Sequence, residues 1–457
     1  MSCIALVLAA GEGTRMKSEK PKVAHEVLGR PMLNWVVDAA RGAGCERVIA
    51  VTGYRADRVE GLLDGVESVR QEQQLGTGHA VMCAREALAD AHGSLVVLPG
   101  DTPLLRAETV AGLIAMRESS GAACTVLTTH LTNPTGYGRV VRTSHDGCVD
   151  RIVEEKDCAG DEHRITEINT GAYCFDAGVL FAHLDRLTTD NAQGEYYLTD
   201  MIRVFRDEGM IVGAMVADDW LETIGVNSRV QLAEASKIMQ RRINQGHMLA
   251  GVTMIDPDLV WIGPDVSIGC DVELLPMTFL FGQTTIGDRA IIGPSTRLTD
   301  AVVAEDAVVD ASIVLGASVG AGATVGPVSY LRHGTVLGAN SKAGTCVEIK
   351  NSTVGEGSKV PHLSYIGDAT IGAGVNVGAG AITCNFDGER KHPTTIGDGA
   401  FIGSDTMLVA PVEIGAGAVT AAGSTIARNV PADALALERS EQVTIAGWAS
   451  RRSKRTK

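Results

Sequence analysis

From about residue 251 onward, aliphatic–glycine pairs return every six residues. Ile262–Gly263, Ile268–Gly269, Ile286–Gly287 and Ile292–Gly293 begin the series, and Gly320, Gly326, Gly338, Gly344, Gly372, Gly378, Gly397, Gly403 and Gly415 continue it. This period predicts a solenoid whose triangular coils hold three hexapeptides, about eighteen residues each. One coil cannot bury its own aliphatic face, so the coils must stack into a continuous column. The chain's 53 glycines and its aromatic content of only 4% suit tight corners and small inward side chains.

Up to about residue 227 the pattern is different. Cys3–Ala10 reads as a buried strand, and so do RVIAVTGY and SLVVLPGD. Pro31 opens a helix with Met32, Leu33, Val36, Val37 and Ala40 on one face. Non-alternating apolar strands separated by helices predict a parallel sheet covered on both faces, an α/β domain. Residues 227–248 read as one helix with Leu232, Ala235, Met239 and Ile243 at helical spacing, a linker between two unlike regions. The expected segments are therefore 1–226, 227–250 and 251–457 with a C-terminal tail.

The 457 residues exceed what a single core organises. A net charge of −15 argues against a broad nucleic-acid face, so no nucleic-acid partner is expected. The ten cysteines show no CxxC pair and read as reduced thiols. The first apolar run is too short to span a bilayer, so a cytoplasmic chain with no membrane contact is expected. The basic end RRSKRTK reads as a solvated tail.

The first strand runs into LVLAAGEGTRMKSEKPK, residues 6–22. Gly11 and Gly13 match two positions of a dinucleotide-binding loop, but Met16 stands where the third glycine belongs, and P-loop spacing is absent. Backbone N–H groups with Arg15 and Lys22 could hold a triphosphate. The competing reading is an ordinary turn with solvated basic side chains. LPGD delivers Asp101 to the carboxyl edge of the sheet, where ligands bind in open α/β folds. A hard carboxylate beside a phosphate site suits Mg²⁺. EQQLGTGHA adds a close-approach turn at Gly76 and Thr77, and INTGAY and GVNSR complete the set.

The motifs LAAGEGTRM, PKV, QLGTGHA, GYGR, INTG and GVNSRVQL, followed by VEIKNSTVG, PHLSYIGDA, TCNFDG and GSDTMLVAPV, occur in this order over nearly the whole chain. Together they resemble the bifunctional N-acetylglucosamine-1-phosphate uridylyltransferase / glucosamine-1-phosphate N-acetyltransferase family. The resemblance implies a Rossmann-like nucleotidylyltransferase domain, a linker helix and a left-handed parallel β-helix. It implies that Leu8, Ala9, Ala10, Gly11, Arg15 and Lys22 hold the nucleotide and its phosphates, and that Gln71, Gly76 and Thr77 read the uracil. Pro99 and Gly100 would contact UDP-N-acetylglucosamine, Gly138, Glu154 and Asn169 would hold the sugar, and Asp101 and Asn227 would bind Mg²⁺. Pro99 stands where many relatives carry Tyr, so any stacking or hydroxyl contact there would be lost.

Within the solenoid, Arg332 and Lys350 are eighteen residues apart. One coil of separation would stack them about 4.8 Å apart, a repulsive pair unless an anion lies between. The spacing of eleven from Gly344 to Gly355 marks a slip of phase close by. The spacing of nineteen from Gly378 to Gly397 contains NFDGERKHPT, which predicts a short excursion from the prism. Histidine is the side-chain type suited to deprotonating an amine near neutral pH, which makes His362 a candidate base, although a lone histidine is more often structural. The resemblance implies that His362 is that base. By the same resemblance Arg332, Lys350, Tyr365 and Asn376 hold glucosamine-1-phosphate, and Ala379, Asn385, Phe386, Ser404, Ala422 and Arg439 line the acetyl-CoA site. Phe386 replaces a Tyr and His333 a Pro of relatives; the first removes a hydroxyl, the second could shift the backbone beside Arg332.

The family's activities would be acetylation of glucosamine-1-phosphate by acetyl-CoA, then Mg²⁺-dependent transfer of uridylyl from UTP to GlcNAc-1-phosphate. The product feeds peptidoglycan and lipopolysaccharide, and the family implies a homotrimer with acetyltransferase sites between subunits. Two other readings compete. One is a single-activity nucleotidylyltransferase with a solenoid used only for assembly. The other is a binding scaffold with inactive sites.

Overall fold

The run Cys3–Ala9 becomes the centre of a nine-stranded sheet because its alternate side chains are apolar on both faces and all but Leu8 are buried. The computed structural model describes residues 3–143 and 147–452; the last residues of the basic tail, 453–457, lie outside them. Two compact units divide between Met239 and Gln240.

In the first unit, Cys3–Ala9 pairs in parallel with Arg47–Thr52 and Ser94–Pro99, and Arg47–Thr52 with Glu67–Arg70. The helix Met32–Gly42 buries Met32, Leu33, Val36, Val37 and Ala40, the face that the spacing predicts. The expectation of a purely parallel sheet needs correction. Glu167–Asp176 runs antiparallel to both Ser94–Pro99 and Cys124–His130. The hairpin Arg139–Arg142/Val149–Val153 precedes it, and the chain re-enters the sheet at the end where Cys124–His130 leaves it, Glu167 pairing with His130. A register shift between Asn169 and Tyr173 bends that antiparallel strand. Among the described residues no helix is long and apolar enough to cross a membrane.

The linker helix spans Arg229–Leu249. Its apolar spacing buries Ala235 and Met239. Its second half is fixed by amides that the spacing does not reveal. Gln240 donates Nε2 to the carbonyls of Asp258 and Val260 at 3.1 and 2.6 Å, and Asn244 donates Nδ2 to those of Pro257 and Val260 at 2.8 and 2.9 Å.

The second unit is a three-sided column of parallel sheets of eleven, ten and nine short strands, consistent with the left-handed β-helix. Early coils keep the eighteen-residue period: Val260 pairs with Thr278, Ser267 with Thr285 and Glu273 with Ile291. On one side Ile262, Leu280, Leu298, Val314, Leu331, Ile349 and Ile366 form a single buried file. The slip anticipated near Lys350 is real: Glu348 pairs with Tyr365, seventeen residues on. The excursion is larger than the glycine spacing suggests. Asn376 pairs with Phe401 and Ile382 with Met407, each twenty-five residues on. Gly378 therefore stacks on Gly403, while Gly397 stacks beneath Gly415. Two glycines of the same apparent phase belong to different sides of the prism, which hid most of the insertion.

Ile349→Ala would open a gap in the file between Leu331 and Ile366. A loss of about 2–5 kcal/mol is expected, seen as a lower unfolding midpoint of the second unit in scanning calorimetry.

Candidate active sites

The carboxyl ends of Cys3–Ala9 and Ser94–Pro99 open into a cavity of about 450 Å³. Leu8, Ala9, Ala10, Gly11, Lys22, Pro99 and Asp101 line it on the sheet side. Gln71, Gly76 and Thr77 line it from the loop after Glu67–Arg70, and Gly138, Glu154 and Asn169 from the antiparallel side. Motifs separated by up to 161 positions thus face one volume. Gly100 lies behind the lining, its N–H donating to the Leu8 carbonyl at 2.9 Å. Arg15 is exposed on the short helix Thr14–Met16.

Asp101 and Asn227 converge on the ammonium of Lys22. Lys22 Nζ pairs with the Asp101 carboxylate and donates to Asn227 Oδ1 at 3.1 Å. Two hard oxygen donors therefore already point at one positive charge, the arrangement a hard divalent cation needs. The buried amide of Gln71 donates to the Gly76 carbonyl at 3.0 Å, and its Nε2 lies 3.0 Å from His79 Nδ1. Gly76 has φ of +105°, and a Cβ there would lie 2.5 Å from the Tyr196 carbonyl, so only glycine lets this turn close on residues 195–198. Thr77 Oγ1 accepts the Leu198 N–H at 3.0 Å. Asn169 donates Nδ2 to the Tyr173 hydroxyl at 2.6 Å, and its Oδ1 accepts the Gly171 N–H at 3.1 Å.

Tyr137, in the motif GYGR, has no role that the sequence reveals, yet it lines the cavity. Burial and then the Asp101 charge push its phenol up, while the Gly225 backbone and Arg15 oppose them, which places Arg15 and Asp101 in one electrostatic neighbourhood. Burial also pushes the Glu154 carboxyl up, with Asp200, Asp157 and Glu195 adding to it and the Thr199 hydroxyl, 3.1 Å away, opposing it.

In the solenoid, Lys359 pairs with Asn376, Asn376 with Phe401 and Phe401 with Val419. Carried three residues further, that register aligns His362, Ala379, Ser404 and Ala422 on one corner of four successive coils. His362 and Ser404 are exposed there, and the Ala379 carbonyl accepts the Asp405 N–H at 2.7 Å. Tyr365 begins the strand after that corner. Asn385 is buried at the root of the excursion, and Phe386, 59% exposed, bridges to Lys391 across it. Arg439 is exposed beyond the last coil.

The strand Tyr330–Leu331, which Arg332 follows, stacks on the strand Glu348–Lys350, with Leu331 opposite Ile349 and the Arg332 N–H donating to the Ile349 carbonyl at 2.9 Å, so His333 leaves this register intact. The inferred bare cation pair is not what forms. Arg332 donates to Glu348 at 2.9 Å and lies 5.8 Å from the Tyr330 ring centre, while Lys350 lies 4.0 Å from Asp368. The ammonium groups that face each other are Lys350 and Lys391, and this contact holds Lys391 below its ordinary pKa. Lys391 carried no periodic signal because it sits in the excursion.

A family model for the MobA-like NTP transferase domain matches residues 5–163, and one for bacterial transferase hexapeptides, six repeats, matches residues 393–428. The chain is 50% identical over 439 residues to the bifunctional protein GlmU of Carboxydothermus hydrogenoformans, covering 96% of this chain and 98% of the relative. This chain belongs to the bifunctional GlmU family. The GlmU proteins of Heliobacterium modesticaldum and Pelobacter propionicus are 50% and 47% identical, over 98% and 99% of both chains. The GlmU relationship thus runs through both units and both candidate sites.

Glu154→Gln tests the burial of the sugar-side carboxyl. A carboxyl whose folded pKa is raised carries no penalty below its ordinary value and an increasing one as pH rises through the folded value. Gln should therefore raise the melting temperature at about pH 8, with the gain shrinking toward about pH 4, where both states are protonated. A pH series of melting curves reads this directly.

Proposed function

We propose that the chain makes UDP-N-acetylglucosamine by two reactions on one polypeptide. The solenoid acetylates glucosamine-1-phosphate with acetyl-CoA, and the first unit transfers uridylyl from UTP to the resulting GlcNAc-1-phosphate, releasing pyrophosphate. The observation that carries this reading is the convergence of the loop, base-side, sugar-side and Asp101 motifs on one cavity, combined with a file of His362, Ala379, Ser404 and Ala422 along the solenoid.

In the first site Leu8, Ala9, Ala10 and Gly11 cradle the nucleotide, and Arg15 and Lys22 neutralise its phosphates. Gln71, Gly76 and Thr77 fix the uracil. Pro99, Gly100, Gly138, Glu154 and Asn169 orient the sugar phosphate, and Tyr137 closes the same wall. A phosphate oxygen of GlcNAc-1-phosphate attacks the α-phosphorus of UTP, and the bond to the β-phosphate oxygen breaks as pyrophosphate departs. Positioning and charge neutralisation suffice for this transfer, so no side-chain nucleophile is required. Asp101 and Asn227 would hold Mg²⁺, which when bound supplies charge neutralisation to the phosphates.

In the second site Arg332, Lys350, Tyr365 and Asn376 hold the amino-sugar phosphate, joined by Lys391. Ala379, Asn385, Phe386, Ser404, Ala422 and Arg439 receive acetyl-CoA, whose extended arm suits a file running along the coils. His362 takes the proton from the substrate ammonium. The freed amine attacks the thioester carbonyl carbon, the C–S bond breaks, and the thiolate leaves to be protonated. The outward residues Thr285, Val302, Ser318, Val336, Thr353 and Thr370 of one sheet are small and uncharged, which suits packing in a homotrimer. Cytoplasmic action belongs to the same reading.

His362→Ala should lower thiol release from acetyl-CoA by about 10²–10⁴-fold and leave pyrophosphate release unchanged. Asp101→Asn should do the reverse, lowering Mg²⁺-dependent pyrophosphate release by about 10²-fold or more and sparing acetylation. Survival of both activities in either variant contradicts the corresponding role. Comparing UTP with dTTP and GTP in the pyrophosphate assay tests the nucleotide.

A further inference from the structure

Asp368 stands where the sugar-phosphate and acetyl-CoA sides of the second site meet, and neither the motifs nor the file of coil residues gives it a role. It takes the corner after the strand Tyr365–Gly367 with φ of +50°. Its side chain is only 14% exposed. Asn385 donates Nδ2 to Asp368 Oδ2 at 2.5 Å, and Asn351 donates Nδ2 to Oδ1 at 2.7 Å. Lys350 Nζ lies 4.0 Å from Oδ2. Burial works against the charge of this carboxyl, but Asn351, Asn385, Lys350 and Lys391 outweigh it and hold it below the ordinary carboxylate range.

The neighbouring Gly367 shows how tightly the corner is drawn. A Cβ there would lie 2.5 Å from the Tyr365 hydroxyl and 2.7 Å from Asn385 Nδ2. The sugar-side tyrosine and the acetyl-CoA-side asparagine therefore close over a residue that must lack a side chain, with Asp368 next in the chain.

A corner at positive φ is taken by Gly, Asn or Asp, and Asp271, Asp300, Asp306, Asp405 and Asp433 take such corners elsewhere in the solenoid. What sets Asp368 apart is that its carboxylate is buried and engaged by two amides and an ammonium. A carboxylate beside a pair of phosphate-binding lysines also repels the substrate phosphate, so the charge has to serve another end. Two amide donors and an ammonium converge here, and only a carboxylate offers enough acceptor sites to engage all three. We propose that Asp368 is a positioning residue for acetyl transfer: its carboxylate holds Asn385 in place for acetyl-CoA and Lys350 in place for the sugar phosphate, joining the two subsites. This rests on the acetyltransferase reading of the second site.

The test is a double-mutant cycle in the full chain, read as the KM for acetyl-CoA. The unfolding midpoint of the second unit, read by scanning calorimetry on the same preparations, reports whether each variant is folded. Asn385→Ala alone must raise that KM; if it does not, the assignment of Asn385 fails, and the proposal falls with it. Given that rise, Asp368→Asn should raise the KM about tenfold in the parent chain, the loss expected for a hydrogen bond to a charged acceptor. In the Asn385→Ala background the further change should stay below about twofold, because Asp368 acts through Asn385. An unchanged KM in the parent chain, or an equal rise in both backgrounds, overturns the proposal while leaving the assignment of Asn385 standing. Should Asp368→Asn fail to fold, Asn351→Ala removes one anchor and keeps the carboxylate. It should raise the same KM about threefold, and an unchanged value overturns the proposal.

Discussion

Coil-on-coil register governs what the second half of this protein can do. Each turn contributes one inward aliphatic residue per side, and burial of that residue is possible only when the coils above and below carry theirs at the same place. The file from Ile262 to Ile366 enforces this, with backbone ladders holding the coils in step. Because the inward positions are fixed, the corners are fixed too. His362, Ala379, Ser404 and Ala422 are far apart in sequence, yet they become neighbours along one edge without any contact of their own. A long thin ligand can then be met at several points by single residues from different coils.

The first unit solves a similar problem by a different route. The carboxyl edge of a sheet gathers loop residues from several strands. Here it brings the glycine turn, Asp101 and Asn227 around the ammonium of Lys22. The antiparallel strand Glu167–Asp176 bends between Asn169 and Tyr173 and completes the wall opposite the turn. The cavity is bounded on the sheet side by small residues together with Lys22 and Asp101, and on the other side by amides and the Glu154 carboxyl. That division suits a ligand with a phosphate chain at one end and a sugar at the other.

Periodicity made the solenoid legible, and the alternation of apolar strands with helical patterns made the α/β unit legible. Neither signal carries direction or depth. An apolar strand reads the same whether it runs parallel or antiparallel, so Glu167–Asp176 was not distinguished from its neighbours. Glycine phase likewise cannot tell one side of a triangle from another, and a coil of twenty-five residues passed as one of nineteen. Leu8, Gly11, Gly76, Thr77, Asp101, Gly138 and Asn169 lie both in sequence motifs and on the cavity wall. Tyr137 was passed over beside Gly138, and Lys391 and Asp368 were missed because an irregular excursion and a corner give no spacing to read. Arg332 and Lys350 stand one coil apart as their spacing predicts, but sequence shows the spacing of charges and not the carboxylates, Glu348 and Asp368, that turn toward them.

Two sites on one chain, working in succession, are the heart of this account. Incubation of the full chain with UTP, acetyl-CoA, glucosamine-1-phosphate and Mg²⁺, followed by chromatography of the nucleotides, addresses it most directly. UDP-N-acetylglucosamine should accumulate together with free thiol and pyrophosphate, and omission of acetyl-CoA should stop it. Thiol release with no sugar nucleotide, or pyrophosphate release from GlcNAc-1-phosphate with no acetylation of glucosamine-1-phosphate, would contradict it.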